Sequence, residues 1–169
     1  MALIVETGAI VADADSYVSI ADADTYHTAR GNSAWDAASD AQKEVALRVA
    51  ATYLDCAYTW KGTRVSDTQS LFWPRIGVVD CDGYAVSSII VPYRVVNAQC
   101  ELALRALSAP LLTDETPAQF VVSETVDVIS VDYERSRPLQ NRYAIVDNIL
   151  RCYVTRSASR YGSIELVLS

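Results

Sequence analysis

A single histidine, His27, occurs in the 169 residues, beside one methionine, two phenylalanines and two lysines. A histidine-based triad or a multi-imidazole metal site would have to be built around that one ring. Glycine is scarce too, with six in the chain. Gly77 and Gly83 lack the spacing of a phosphate loop or a dinucleotide fingerprint, and the Gly-x-Ser-x-Gly nucleophile elbow is missing. No stretch approaches the roughly 18 consecutive apolar residues of a membrane span. The opening Met1-Ala-Leu-Ile-Val-Glu6 has no basic region and only a short apolar run, which argues against a signal peptide. Four cysteines stand at 56, 81, 100 and 152, with no Cys-x-x-Cys pair. Such long gaps indicate neither a zinc knuckle nor a redox dithiol. Buried free thiols in a reducing cytoplasm are the expectation, with Cys56 in the core rather than a reactive thiolate. No residue is nominated for catalysis and no cofactor is implied, so the chain reads as a structural or interaction protein, not an enzyme.

What is present is ordinary globular material. The chain is 51% hydrophobic and 21% charged, against typical values of about 45–50% and about 25%. Its length suits one domain over residues 1–169 with a real core, and is marginal for two. The net charge is −7, unevenly spread. Residues 1–60 carry −6 and residues 61–134 carry −5. Residues 135–160 hold six arginines against Asp147 alone, a net of +5. Overall acidity opposes nonspecific binding to nucleic acid, which rests on neutralising phosphates. The basic region keeps that possibility open. It also suits copies meeting head to tail through complementary charge, or arginines that simply cover a solvated surface.

Residues 1–12 read as a short strand or extended arm, and residues 13–110 as a helical core. Ser19-Ile-Ala-Asp22 is a capping pattern that opens a helix, which Gly31 stops. Ile20, Ala23, Tyr26 and His27 form its inner face. Trp35 lies in a connection. Ser39-Asp-Ala-Gln42 opens a second helix running to about Tyr58, with Val45, Val49, Tyr53 and Ala57 on one stripe and Ala46, Ala50 and Leu54 widening it. The stretch from Thr59 to Val91 is too long to be structureless in a compact domain. Trp60, Leu71, Phe72, Trp73, Ile76 and Val78 are expected to pin it to the helices. Pro74 restricts Trp73 to extended geometry, and Asp82-Gly83 signals a turn. Pro92 starts a buried helix carrying Val95, Val96, Gln99, Leu102, Ala103, Ala106 and Leu107. Residues 118–134 read as a β-hairpin, residues 142–154 as a last helix with Ile145, Val146, Ile149 and Leu150 inward, and residues 157–169 as a tail with a terminal strand. The fold class is mainly α: a small helical bundle with a long aromatic-anchored loop and a minor β element.

Two chemistries can be weighed against this frame. Asp13-x-Asp15 with Asp24 mimics part of a calcium loop, but Tyr17 and Val18 stand where a ligand and a turning glycine are needed. Asp80 and Asp82 flanking a turn are an equally weak metal signal. Tyr58, Trp60, Phe72, Trp73 and Tyr84, with Arg64 and Arg75, could stack bases as single-strand binders do. The Leu/Phe/Ile context favours a loop anchor instead, in which Trp60, Phe72, Trp73, Pro74 and Arg75 hold the loop. Arg75 and Arg64 then bond loop carbonyls or meet acids on a neighbouring subunit.

Certain motifs carry a resemblance. They are Ser16-Tyr-Val-Ser-Ile-Ala-Asp-Ala-Asp-Thr-Tyr26, Gly31-Asn-x-x-Trp35, Ala50-Ala-Thr-Tyr-Leu-Asp55, Gly62-Thr-Arg64, the run from Gln69 through Trp73-Pro-Arg-x-Gly77 to Asp80 and Tyr84, and Val91-Pro92 with Ala98 to Leu104. Together they resemble a family of small tailed-phage and prophage proteins labelled DnaT-like single-stranded DNA-binding proteins. The chain also resembles phage head–tail connector (adaptor) proteins. The match is firm over about residues 1–110 and looser after Pro117. The connector resemblance implies a ring, of 12 copies, seated under the portal protein in the virion neck after assembly in the host cytoplasm. Such a ring extends the channel for genomic DNA without binding it specifically, and docks the next neck or tail-terminator protein. Subunit and portal contacts would then fall to Arg64, Val126, Val128, Arg135, Arg137, Arg156, Arg160, Ile164, Leu166 and Leu168. The DnaT-like label implies a primosome-type DNA binder instead. The acidic balance and the two lysines fit the adaptor better, since an acidic wall repels phosphate.

Overall fold

The computed structural model describes residues 2–112, 123–126, 129–132 and 143–155. The elements in chain order are α1 (Ile20–Thr28), α2 (Ser33–Asp36), α3 (Asp40–Ala57), β1 (Thr63–Arg64), β2 (Arg75–Ile76), α4 (Tyr93–Ala106), β3 (Ser123–Val126), β4 (Ile129–Asp132) and α5 (Ala144–Leu150). The fold is mainly helical with two small antiparallel β pairs, β1–β2 and β3–β4. In the second pair Ser123 faces Asp132 and Val126 faces Ile129, within the expected hairpin.

Both capping patterns form as chemistry requires. The Ser19 hydroxyl accepts from the Asp22 amide at 3.1 Å. Ser39 and Gln42 make a reciprocal capping box, each side chain accepting from the other's amide. These bonds satisfy amides that the first helical turn leaves without partners. Pro92 caps α4 and contributes no amide of its own to satisfy.

The core lies where α3 packs on α4, and α5 packs on α4 as well. Helix α3 buries Ala46, Leu47, Ala50, Ala51 and Leu54, and α4 buries Val95, Ala98, Cys100, Leu102 and Ala103. Small residues on both helices let the axes approach closely. Of the α3 residues expected to face inward, Ala46, Ala50, Tyr53 and Leu54 are buried and Ala57 is half-buried, but Val45 is 60% exposed and Val49 is exposed too. The apolar arc of α3 is wider than one face, and the buried side is the one carrying Leu47 and Leu54. Leucine removes more apolar area from water than valine. Lys43 shares that buried side because its ammonium meets Asp24 at 2.8 Å. In α5, Val146 and Leu150 are buried while Ile145 is exposed.

One glutamine ties three segments together in this core. Gln99 of α4 donates to the Leu47 carbonyl at 2.9 Å and to the Ser16 hydroxyl at 2.8 Å, and accepts from the Tyr17 amide at 2.8 Å. The N-terminal segment is extended and fastened to the body. Val5 bridges Ser16 in parallel. The buried Glu6 carboxylate accepts from the amides of Gly8, Ile10 and Val11 at 2.7, 3.1 and 2.8 Å. Gly8 sits at φ +104°, and a Cβ there would collide with the Ile89 carbonyl.

The cysteine expectation is corrected. Cys81 and Cys152 form a disulfide across 71 residues, with Cα atoms 5.0 Å apart. Cys100 is a buried free thiol as expected, but Cys56 is exposed. A gap of 71 residues says nothing about proximity until the chain has folded. Cys56 points outward because the buried side of α3 passes through Leu54 and not through it. Among the described residues no helix is long and apolar enough to cross a membrane.

Candidate functional site

The long loop from Tyr58 to Val91 is built on two tryptophans. Trp73 is fully buried and Trp60 nearly so. Their rings meet edge to face at 5.6 Å, and Trp73 meets Tyr153 at 5.8 Å in the same way. Such offset geometry suits the ring quadrupoles. The Trp73–Pro74 peptide bond is cis. Of the residues expected to hold the loop, Trp60, Trp73, Pro74 and Arg75 are buried.

Phe72 and Ile76 depart from that expectation. Phe72 is 37% exposed and Ile76 is exposed. Successive side chains of an extended segment point to opposite sides, so burying Leu71 and Trp73 turns Phe72 outward. Its ring lies 5.8 Å from the Arg64 guanidinium.

Arg75 holds the loop from within. Its Nε donates to the Lys61 carbonyl at 2.7 Å, Nη2 to Gly62 at 2.7 Å and Nη1 to Phe72 at 3.1 Å. Three loop carbonyls are thus satisfied by one planar fork. Burial lowers the Arg75 pKa from its ordinary value, with the neighbouring Arg64 adding to that effect. Gln69 adds a second clamp, donating to the carbonyls of Leu71 at 2.7 Å and Pro74 at 3.2 Å.

A polar triad joins the loop to α3. The Tyr17 hydroxyl donates to Asp55 Oδ1 at 2.6 Å and accepts from the Phe72 amide at 3.0 Å. Asp55 Oδ2 accepts from the same amide at 3.1 Å. Burial pushes the Asp55 carboxyl up to about 6, although Tyr17, the Phe72 amide, Arg75 and Arg64 all draw it down. Burial, and then Asp55 itself, raises the Tyr17 phenol well above its usual range. Sequence reading did not identify Asp55 or Tyr17 as a pair. Their 38-residue separation and the helical setting of Asp55 leave no local signal.

The cations of the helical body are largely committed inside it. Lys43 pairs with Asp24 at 2.8 Å, Arg48 with Asp15 at 2.6 Å and Arg105 with Glu101 at 2.9 Å. Lys61 donates to the Cys152 carbonyl at 2.7 Å. His27 is buried against Trp35, 4.4 Å between ring centres, and its Nδ1 meets the Asn32 amide nitrogen at 2.9 Å. Burial lowers its pKa. Among the described residues no group of three or more His, Cys, Asp or Glu side chains could hold a metal ion.

Of the residues expected at subunit or portal contacts, Arg64 is exposed on β1, paired in register with Arg75. Val126 ends β3 opposite Ile129. Val128, Arg135, Arg137, Arg156, Arg160, Ile164, Leu166 and Leu168 lie outside the described residues, as does the 157–169 tail.

Taken together, the fold and site define a mainly helical domain whose long loop is sealed by aromatic, guanidinium and disulfide contacts. The chain belongs to the family described as "Putative DnaT-like ssDNA binding protein", whose model matches residues 1–168. No curated protein and no solved structure gives a significant match.

Proposed function

We propose that this chain is a non-catalytic binding protein for single-stranded DNA. The family match over nearly the whole chain carries the reading. The helical body serves as an acidic scaffold in this reading, since most of its cations bond its own acids and carbonyls. The phosphate contacts come from the arginine-rich stretch of residues 135–160. Binding of this kind is salt-dependent, because each neutralised phosphate releases counterions.

A second reading is the head–tail adaptor: a ring, of 12 copies, below a phage portal in the virion neck, assembled in the host cytoplasm. Two observations favour it. Trp60 and Trp73, the largest rings offered for base stacking, are buried in the core, and the first 134 residues are strongly acidic. Genomic DNA would pass such a wall without sticking.

An oligonucleotide shift at two salt concentrations, with electron microscopy of the protein alone and with a portal ring, separates the two. A salt-sensitive shift without portal binding supports the DNA-binding reading. Rings on the portal with no shift overturn it and establish the adaptor.

A further inference from the structure

Tyr58, Trp60, Trp73 and Tyr153 are packed ring against ring at the base of the sealed loop. Phe72, next to Trp73 in the chain, meets no other ring among the described residues. It is 37% exposed, and the Arg64 guanidinium lies 5.8 Å from its centre. That is within the roughly 6 Å over which a cation is attracted to a ring face. The backbone under the ring is pinned on both sides. The Phe72 amide donates to the Tyr17 hydroxyl at 3.0 Å and to Asp55 Oδ2 at 3.1 Å. Its carbonyl accepts from Arg75 Nη1 at 3.1 Å. Its chain neighbours Leu71 and Trp73 are buried. An exposed ring is thus set on a fixed base, so a ligand bound there pays little further ordering cost.

Arg64 stands apart from its neighbours in the same way. Lys43, Arg48 and Arg105 are taken by carboxylates, and Lys61 and Arg75 by carbonyls. Arg64 is exposed, and among the described residues it makes neither an ion pair nor a hydrogen bond. Its place is set by the β1–β2 register, in which it pairs with Arg75. Exposed apolar residues scattered singly are normal. A ring and an uncommitted guanidinium held side by side are a different arrangement. Single-strand binders combine flat rings that take bases with cations that track the backbone. We propose that Phe72 and Arg64 form a contact point for single-stranded DNA, with a base stacked on the Phe72 ring and the Arg64 guanidinium on an adjoining phosphate. This rests on the DNA-binding reading and adds the base contact that the buried tryptophans cannot supply. Asp67, exposed on the same connection, forms no ion pair with Arg64 and opposes phosphate.

The test is anisotropy of a labelled oligothymidylate titrated with the full chain. Phe72→Leu keeps an apolar side chain without a ring face. It should weaken binding roughly tenfold, the scale of one lost base stack, while leaving the salt slope unchanged. Phe72→Trp keeps a ring face and should bind at least as tightly as the parent. A side chain that merely packed the loop would give the opposite order, since leucine is the smaller intrusion. Arg64→Ala should lower the salt slope by about one. An oligonucleotide carrying 5-iododeoxyuridine, irradiated in complex with the parent chain, should cross-link to Phe72, a readout that needs no variant to fold. Parent-like affinity in Phe72→Leu, an unchanged slope in Arg64→Ala, or cross-links that avoid Phe72 overturn the contact point and leave DNA binding standing. No binding by the parent chain overturns both.

Discussion

The α3–α4 pair and the loop between them are held by different forces. The helices meet through Ala46, Leu47, Ala50, Leu54, Ala98 and Leu102, with Gln99 as the polar exception. The loop is held by an arginine fork, a carboxylate near neutrality, crossed aromatic rings and a disulfide. Apolar packing is indifferent to protons and reductants, whereas the loop's Asp55 carboxyl and its disulfide can each be addressed by one chemical condition. A helical frame thus carries a loop whose hold depends on chemistry, and the two regions should respond separately.

The strongest break of that comparison is Trp73→Ala. It empties the centre of the loop and should cost about 3–5 kcal/mol of unfolding free energy, read by denaturant titration. Leu47→Ala should cost a similar amount, about 2–5 kcal/mol, but with no change in its sensitivity to reductant or to pH.

Reduction of Cys81–Cys152, or Cys152→Ser, comes next. Opening a closure of 71 residues should cost about 4 kcal/mol on the chain-entropy account. Hydrogen exchange should rise in residues 78–86 and 152–155 while the α3 and α4 amides keep their order of protection. Equal loss of protection in both regions would dissolve the distinction.

Asp55 gives the pH arm. Its folded-state pKa of about 6 lies above the ordinary value of 3.8, so the native state binds the proton more readily than the unfolded chain does. Its contribution therefore favours folding at acidic pH and is lost as pH rises from about 4 to about 6, on the order of 3 kcal/mol in total. Asp55→Asn should flatten stability over that window in melts taken at a series of pH values. A parent chain whose stability shows no difference from Asp55→Asn across the window would remove Asp55 as the titrating group.

The smallest effect belongs to Val45→Lys. The position is 60% exposed, so stability should move by no more than about 0.5 kcal/mol. A larger loss would mean that the outer face of α3 is covered after all.

Much of the helical frame was legible beforehand. Ser19 and Ser39 marked two helix starts, Pro92 a third, and Trp60, Trp73 and Arg75 the loop's fastening, because caps, proline and large rings act over a few residues. On α3 only Val45 and Val49 depart from the expected face, because its apolar arc spans two candidate stripes and only the partner helix decides between them. Phe72 was taken for an anchor because hydrophobicity alone does not tell which way an extended residue points. At the site, the Trp73-Pro74-Arg75 run was legible in the sequence.

Sequence by itself determined the helix starts, the mainly α class, the aromatic fastening of the loop and the split between an acidic body and a basic C-terminal region. Those follow from short-range stereochemistry and from composition. Only the tertiary structure decided the Cys81–Cys152 bond, the Tyr17–Asp55 pair, the Gln99 spokes and the exposed faces of α3 and α5. Each joins or separates groups tens of residues apart, and such a distance acquires a value only when the whole chain has packed.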